Sequence, residues 1–344
     1  MSHAAAFGPR FRKIFRRGGL AVLLAGMAAP ALAQNTQPTA PPTTTHESPQ
    51  ALVDALHAAF GVHHARAVHA KGILLEGSFT PDPGARALSK APIFAGPTLK
   101  VLARFSDFTG IPDIPDNIGE ANPRGFAFKI RTADDAYDVV THSFNGFPVA
   151  TSDEFAVFLR AVGASGPDAP HPNAIERFLA THPIAKAFLT SQKPPPQSYA
   201  TAAYYGVNSF QYTNAAGRSA FVRSRFVPSA GERYLTPAEL KTRGPDYLGE
   251  ELATRLAAGP VSFDWYAQIA EPGDRIEDPS IAWPESRRLV RLGRIVLTRI
   301  AADQGDVDKR TLFLPGLSHP GIDPADPMLT LRDSAYPTSF RARQ

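Results

Sequence analysis

The chain has 344 residues, 43% of them hydrophobic and none of them cysteine, which excludes disulfides, thiolate metal ligation and iron–sulfur clusters. Its formal charge is +4, but residues 1–33 hold five basic and no acidic side chains, so the remainder carries −1. A nucleic-acid or anionic-membrane partner therefore lacks the basic footprint that such binding requires.

Arg10, Arg12, Lys13, Arg16 and Arg17 precede an apolar run from Gly18 to Ala29, and Ala31-Leu32-Ala33 places small residues at a cleavage site. This pattern predicts a signal peptide over residues 1–33, cut after Ala33, and a periplasmic product. The run is shorter than the roughly 20 residues of a bilayer span, so no stable membrane insertion is expected. The Arg16-Arg17 pair leaves the Sec and twin-arginine routes both open. Residues 34–47, rich in Thr, Pro and Gln, predict a flexible linker, and residues 48–344 a single domain without internal repeats.

Ser48-Pro49 opens a helical pattern to about Phe60, with Leu52, Leu56 and Phe60 on one face. Extended segments follow near 69–79, 98–107, 124–132 and 136–142, separated by Pro/Gly/Asp-rich turns. In the third, Phe126, Phe128 and Ile130 alternate with Ala127, Lys129 and Arg131, the period of a half-buried strand. Thr151 or Ser152 then caps a helix carrying Phe155, Phe158 and Leu159, and a second helical pattern runs from about Asn173 to Leu189. Four more strands are predicted near 204–214, 219–228, 261–270 and 289–300, the first two joined by the hairpin signal Asn214-Ala215-Ala216-Gly217. Helices are expected at 236–241 and 245–258. Four strands, helices and four strands suit an α+β fold built on a closed antiparallel eight-stranded β-barrel with surrounding helices.

Near the end, Met328-Leu329-Thr330-Leu331-Arg332-Asp333-Ser334-Ala335-Tyr336-Pro337 sets an arginine four residues ahead of a tyrosine. On a helix the two share a face. A phenol ordinarily titrates near pH ~10, and a guanidinium that keeps its charge favours the phenolate, which makes Tyr336 a candidate metal ligand. Alone, such a pair is more often an ordinary surface feature of a C-terminal helix, and that is the reading this motif favours by itself. Pro337 disfavours helical conformation in the residue before it, so Tyr336 is expected near a local kink.

A second motif, Arg66-Ala67-Val68-His69-Ala70-Lys71-Gly72 followed by Gly77-Ser78-Phe79, stands near the other end. RxVHAKG with GxF resembles the distal-histidine signature of the catalase family, and MLxxRxxxYP resembles its proximal haem-ligand signature. Val101-Leu102-Ala103-Arg104-Phe105-Ser106, Pro123-Arg124-Gly125-Phe126-Ala127-Phe128-Lys129, Asn208-Ser209-Phe210 and the stretch from Tyr247 to Arg299 agree, so the resemblance covers nearly everything from about residue 60.

The resemblance implies an eight-stranded barrel with haem b buried against one end, its iron held by Tyr336 with Arg332 as charge partner. It gives His69 the role of distal acid/base, Ser106 that of holding the far nitrogen of His69, and Arg66, Arg104 and Arg343 contact with the haem propionates. Arg343, the penultimate residue of the sequence, is open to fraying as well. Catalases carry an asparagine in a D-L-V-G-N-N-type run; here Asp138-Val139-Val140-Thr141-His142-Ser143 puts His142 in its place, with Asn145 able to substitute if the loop turns inward. That departure favours a haem peroxidase similar to the catalase-related peroxidases, using hydrogen peroxide or organic hydroperoxides and a small organic electron donor, over a true catalase. A fatty-acid hydroperoxide isomerase and a non-catalytic periplasmic haem carrier are the other readings. The physiological donor, the preferred peroxide and any homo-oligomer are left open by the sequence.

Overall fold

A computed structural model describes residues 47–344, so the expected signal peptide, and the linker up to residue 46, lie outside the described residues. Among the described residues ten strands form one antiparallel sheet: β1 (Gly72–Pro81), β2 (Leu99–Ser106), β3 (Gly125–Arg131), β4 (Ala136–His142), β5 (Tyr204–Tyr205), β6 (Phe210–Thr213), β7 (Ser219–Pro228), β8 (Val261–Ile269), β9 (Leu289–Ile300) and β10 (Ile322–Pro324). The order β10-β6-β7-β5-β4-β3-β2-β1-β9-β8 closes on itself through an additional β7–β8 pairing. The ring therefore has eight members, β1 to β5 and β7 to β9, and β6 and β10 extend the wall beside β7. Closure removes the exposed edges that an open sheet of this size would carry.

Alternation fills the barrel. Val101, Ala103 and Phe105 on β2 and Phe126, Phe128 and Ile130 on β3 are buried in the same cluster as Tyr204, Phe226, Phe263 and Trp265. Phe105 stacks on Tyr199 with centroids 5.2 Å apart, and each fully buried side chain of this size contributes about 1.5–3 kcal/mol. The opposite parity of β2 and β4 faces a second cluster on the outside of the wall. It is formed by α1 (Pro49–Phe60), α2 (Ser152–Gly163), α3 (Ala174–Thr181), α4 (Pro183–Thr190) and α8 (Met328–Ala342).

Helix ends follow local chemistry. Ser48 Oγ accepts from Ala51 N–H at 3.1 Å, Thr151 rather than Ser152 caps α2, and Asn173 and Glu176 form a reciprocal capping box at α3. The single helix expected over 173–189 is two, because Pro183 cannot continue α3 and instead starts α4 at its first turn. The expected strand 204–214 is likewise divided into β5 and β6. Between β6 and α8 the remaining helices are α5 (Pro237–Leu240), α6 (Tyr247–Ala258) and a helix outside the expected set, α7 (Gln304–Arg310). α8 runs on through Pro337 without a break. Among the described residues no helix is long and apolar enough to cross a membrane.

One row of residues crosses five strands of the barrel wall. Gly72 on β1 pairs with Ser106 on β2, Ser106 with Gly125 on β3, Gly125 with His142 on β4, and His142 with Tyr205 on β5. Residues opposite one another in a ladder present their side chains to the same face. Ser106, Gly125 and His142 thus share one face at one end of the barrel.

Candidate active site

A cavity of about 1370 Å³, its open mouth included, lies between that face and the helices. Arg66, His69, Arg104, Ser106, His142, Arg332, Tyr336 and Arg343 all line it, although they come from both ends of the domain. Asn145 does not. β4 ends at His142, the Phe144 N–H donates to His142 Nδ1 at 3.3 Å, and the chain brings Phe147 to the wall in place of Asn145.

His69 is held from three directions. Its backbone has φ 57°, in the left-handed region that a non-glycine residue occupies only when its surroundings impose it. Its N–H donates to Phe108 O at 3.0 Å and its carbonyl accepts from Arg104 Nη1 at 2.8 Å, while Arg104 Nη2 donates to Ala70 O at 2.9 Å. The ring stands edge to face with Phe108, centroids 5.6 Å apart, and Nδ1 is 3.0 Å from Ser106 Oγ. Gly125 makes the room: a Cβ there would lie 2.8 Å from His69 Nδ1 and closer still to Ser106 Oγ.

Burial, with smaller contributions from His142 and Arg104, pushes the His69 imidazole down to about 3. Burial, and then Arg332, pushes His142 down to about 3 as well. Both rings are therefore neutral at physiological pH. His142 Nε2 is buried and has no hydrogen-bond partner. Behind Ser106, the fully buried Asp107 pairs with Arg124 and accepts from Tyr199 Oη at 2.9 Å, so the end of β2 is anchored from inside the barrel.

Tyr336 and Arg332 approach from α8. Arg332 Nη2 donates to the Tyr336 oxygen at 2.5 Å and Nη1 to Asn208 Oδ1 at 2.5 Å. Asn208 Nδ2 in turn donates to the buried Asp326 Oδ2 at 2.6 Å, and Asp326 Oδ1 accepts from Met328 N–H at the start of α8. The guanidinium is thus fixed on both sides before it meets the phenol. Asn208 and Asp326 are legible in the sequence only as members or neighbours of longer motifs, since nothing in their own spacing marks them.

Residues 57–344 match the family model described as catalase. The chain belongs to the catalase family. Among its relatives, the catalase-related peroxidase of Synechococcus elongatus is 31% identical over 87% of this chain and 89% of its own, and the catalase-related peroxidase of Mycolicibacterium paratuberculosis is 35% identical over 86% and 95%. Catalase A from Saccharomyces cerevisiae superposes with a TM-score of 0.72 at 24% identity, over 81% of this chain and 61% of that one, a likeness of fold.

Catalase family proteins bind haem, and the cavity's residues fit such a group. A phenol backed by a fixed guanidinium, an orphaned imidazole nitrogen, apolar walls from α1 and α2, and a cluster of guanidiniums with fewer carboxylates than cations suit a flat apolar macrocycle with an acidic edge. Arg66, Arg104 and Arg343 belong to that cluster; Arg343, far from fraying, is 7% exposed and donates to Thr311 O at 2.6 Å. Arg104 has a role beyond the one its motif implies, because it also carries the His69 loop.

Proposed function

We propose that this protein is a haem b-dependent peroxidase of the catalase-related type, reducing hydrogen peroxide or organic hydroperoxides at the expense of a small organic donor, with weak or absent catalase activity. The observation that carries this reading is that a phenol–guanidinium pair and a neutral, serine-held imidazole line one cavity. The names and coverage of the catalase-related peroxidases among its relatives support it.

Haem, when bound, supplies the iron that takes up the oxidising equivalents of the peroxide, and Tyr336 is the residue to hold it. The protein supplies the proton handling. With Nδ1–H donating to Ser106 Oγ, His69 Nε2 keeps its lone pair, takes the proton from one peroxide oxygen and returns it to the other, so that water or an alcohol departs instead of an oxyanion. Two electrons from the donor complete the reduction. His142 offers an imidazole where an amide would orient a second hydrogen peroxide, which disfavours peroxide as its own reductant. Apolar walls including Phe147, Phe155 and Phe188 favour organic peroxides and donors. A non-catalytic carrier is not favoured, because a carrier has no use for a positioned acid/base. The basic, apolar and small-residue pattern of residues 10–33 supports export to the periplasm, with a mature N-terminus at Gln34 that mass spectrometry of the secreted protein reads directly.

Absorption spectra of haem-loaded protein before and after hydrogen peroxide or cumene hydroperoxide, with a donor dye and an oxygen electrode, test the reading. Dye oxidation with little oxygen release is expected. Vigorous oxygen release that ignores the donor would replace it with a true catalase.

A further inference from the structure

Arg66, Arg104 and Arg343 reach the cavity from three separate parts of the chain, and one carboxylate on α7 stands among them. Arg66 donates to Asp308 Oδ1 from Nη2 at 3.0 Å and from Nε at 3.3 Å, and Arg104 Nε donates to the same oxygen at 2.7 Å. Arg66 and Arg343 both donate to the carbonyl of Thr311, at 2.9 and 2.6 Å. Among the described residues, Asp308 is the one carboxylate that pairs with any of the three. The buried Nε of Arg343 has no partner.

Three cations held this closely repel one another. Burial, and then Arg104, pulls Arg66 down to about 9 in spite of Asp308, and burial lowers Arg343 as well. Burial alone would raise the Asp308 carboxyl, yet Arg104 and Arg66 outweigh it and hold the group below the usual carboxylate range. One carboxylate among three guanidiniums leaves two positive charges uncompensated on the cavity wall. Two is also the number of carboxylates on the edge of a protoporphyrin.

We propose that Asp308 is a resident counter-ion, which keeps Arg66 and Arg104 paired before the cofactor binds and leaves the cluster with the two charges that a dicarboxylate macrocycle neutralises. This rests on the haem reading for its ligand, but not for its charge count. In the cofactor-free protein Asp308 relieves the repulsion of the cluster. In the loaded protein the cofactor's carboxylates do so, and Asp308 becomes a like charge beside them. It therefore stabilises the empty state more than the loaded one, and its negative charge limits how tightly the cofactor is held. Asp308 lies in a short polar helix with no motif of its own, so it carries no signal in the sequence.

Asp308→Asn removes the charge while keeping the shape and an acceptor oxygen. The test measures the thermal midpoint of the cofactor-free chain, and the rate at which haem passes from the loaded chain to excess apomyoglobin. The midpoint should fall by about 2–4 °C, the shift typical of a one-interaction loss in a domain of this size or somewhat smaller. Haem release should slow by about tenfold, because one like charge near the bound carboxylates is gone. Asp308→Asn with Arg66→Gln restores the two-charge surplus and should recover the midpoint; if the single variant does not accumulate, the folding of this pair carries the test. Wild-type protein should bind metal-free protoporphyrin IX and reject its dimethyl ester. An unchanged midpoint, faster haem release from Asp308→Asn, or a double variant no more stable than the single one would overturn the role of Asp308. Wild-type protein that takes up neither haem nor protoporphyrin would overturn the functional reading, and the ligand half of this proposal with it.

Discussion

Ser106 and His142 stand two strands apart in one row of the barrel wall, with only the hydrogen of Gly125 between them. Adjacent strands lie about 4.8 Å apart, so the two side chains flank a gap about one side chain wide, and the His69 ring reaches into it from the loop above to meet Ser106. The distal side of the cavity is thus a property of strand register. A slip of one residue in β2 would send Ser106 and Arg104 into the barrel.

Gly125→Ala tests that relationship without touching a polar group. The added methyl would collide with Ser106 Oγ and His69 Nδ1, so the hydrogen bond that fixes the tautomer of His69 must open. Haem should still bind, and the rate of peroxide activation in stopped-flow spectra should fall by about 10- to 100-fold, less than loss of the imidazole itself. A variant with the wild-type rate would show that the serine contact is dispensable.

His69→Ala removes the proposed acid/base outright. General acid–base catalysis is worth on the order of 10²- to 10⁴-fold, so the variant should keep its haem spectrum and lose peroxide activation by that factor. Rapid activation in the variant would point to His142, the other neutral imidazole on the same wall.

The parts of this site differ in how far the sequence reveals them. The barrel is legible because Phe126, Phe128 and Ile130 alternate with less apolar neighbours, and because Asn214 to Gly217 mark a hairpin; both are local signals. The division of residues 173–189 is also local, written in Pro183, but it is outweighed by an apolar pattern that continues across it. α7 is not legible, since Gln304–Arg310 has no apolar face and is placed by what surrounds it. Asn145 is a candidate only through its nearness to His142 in the sequence, and the turn after β4 sends Phe147 to the cavity instead. Long-range partners such as Asn208 and Asp308 depend on closure of the whole barrel, and no spacing along the chain encodes them.

Tyr336→Phe should lose haem or shift its ferric spectrum to a form without phenolate ligation; an unchanged spectrum would remove Tyr336 from the assignment. Arg332→Ala should act more mildly. It deletes the donor to the phenol oxygen and leaves Asn208 without its cationic partner, at a cost of about 1.5–3 kcal/mol for a charged hydrogen bond, read as faster haem loss. Asn208→Ala should move in the same direction by less, because Arg332 keeps its contact with Tyr336.

The depressed titration of both histidines fixes a pH dependence. In the unfolded chain each titrates near ~6.5, and in the folded cofactor-free protein near about 3, so their contribution to stability is present above pH 6.5 and is lost as the pH falls towards 3. Asp116, raised to about 6 by burial and Asp107, works in the opposite sense over part of that window. The comparison that isolates the imidazole is therefore between proteins: His142→Asn should lose less stability than the wild type between pH 6.5 and 4 in denaturant titrations. Equal losses would mean that His142 is charged in the folded state.

Under the proposed peroxidase function, His142 is also the residue expected to set the balance between the two fates of the oxidised enzyme. A carboxamide offers a donor and an acceptor on one flexible arm, whereas the imidazole here has the lone pair of Nδ1 already engaged by the Phe144 N–H and only Nε2 left for a ligand. In the neutral ring that arrangement puts the proton on Nε2, so His142 presents a donor alone and orients a second hydrogen peroxide poorly. The wild-type protein should therefore release little oxygen for each equivalent of donor dye it oxidises. His142→Asn should raise that ratio, since the cavity already has the neutral His69 to take the protons. The readout is the oxygen-electrode rate divided by the dye rate at equal peroxide. An unchanged ratio in a variant that still binds haem would show that the balance is set elsewhere, by the width of the apolar chamber around Phe147 and Phe188 and the donors it admits.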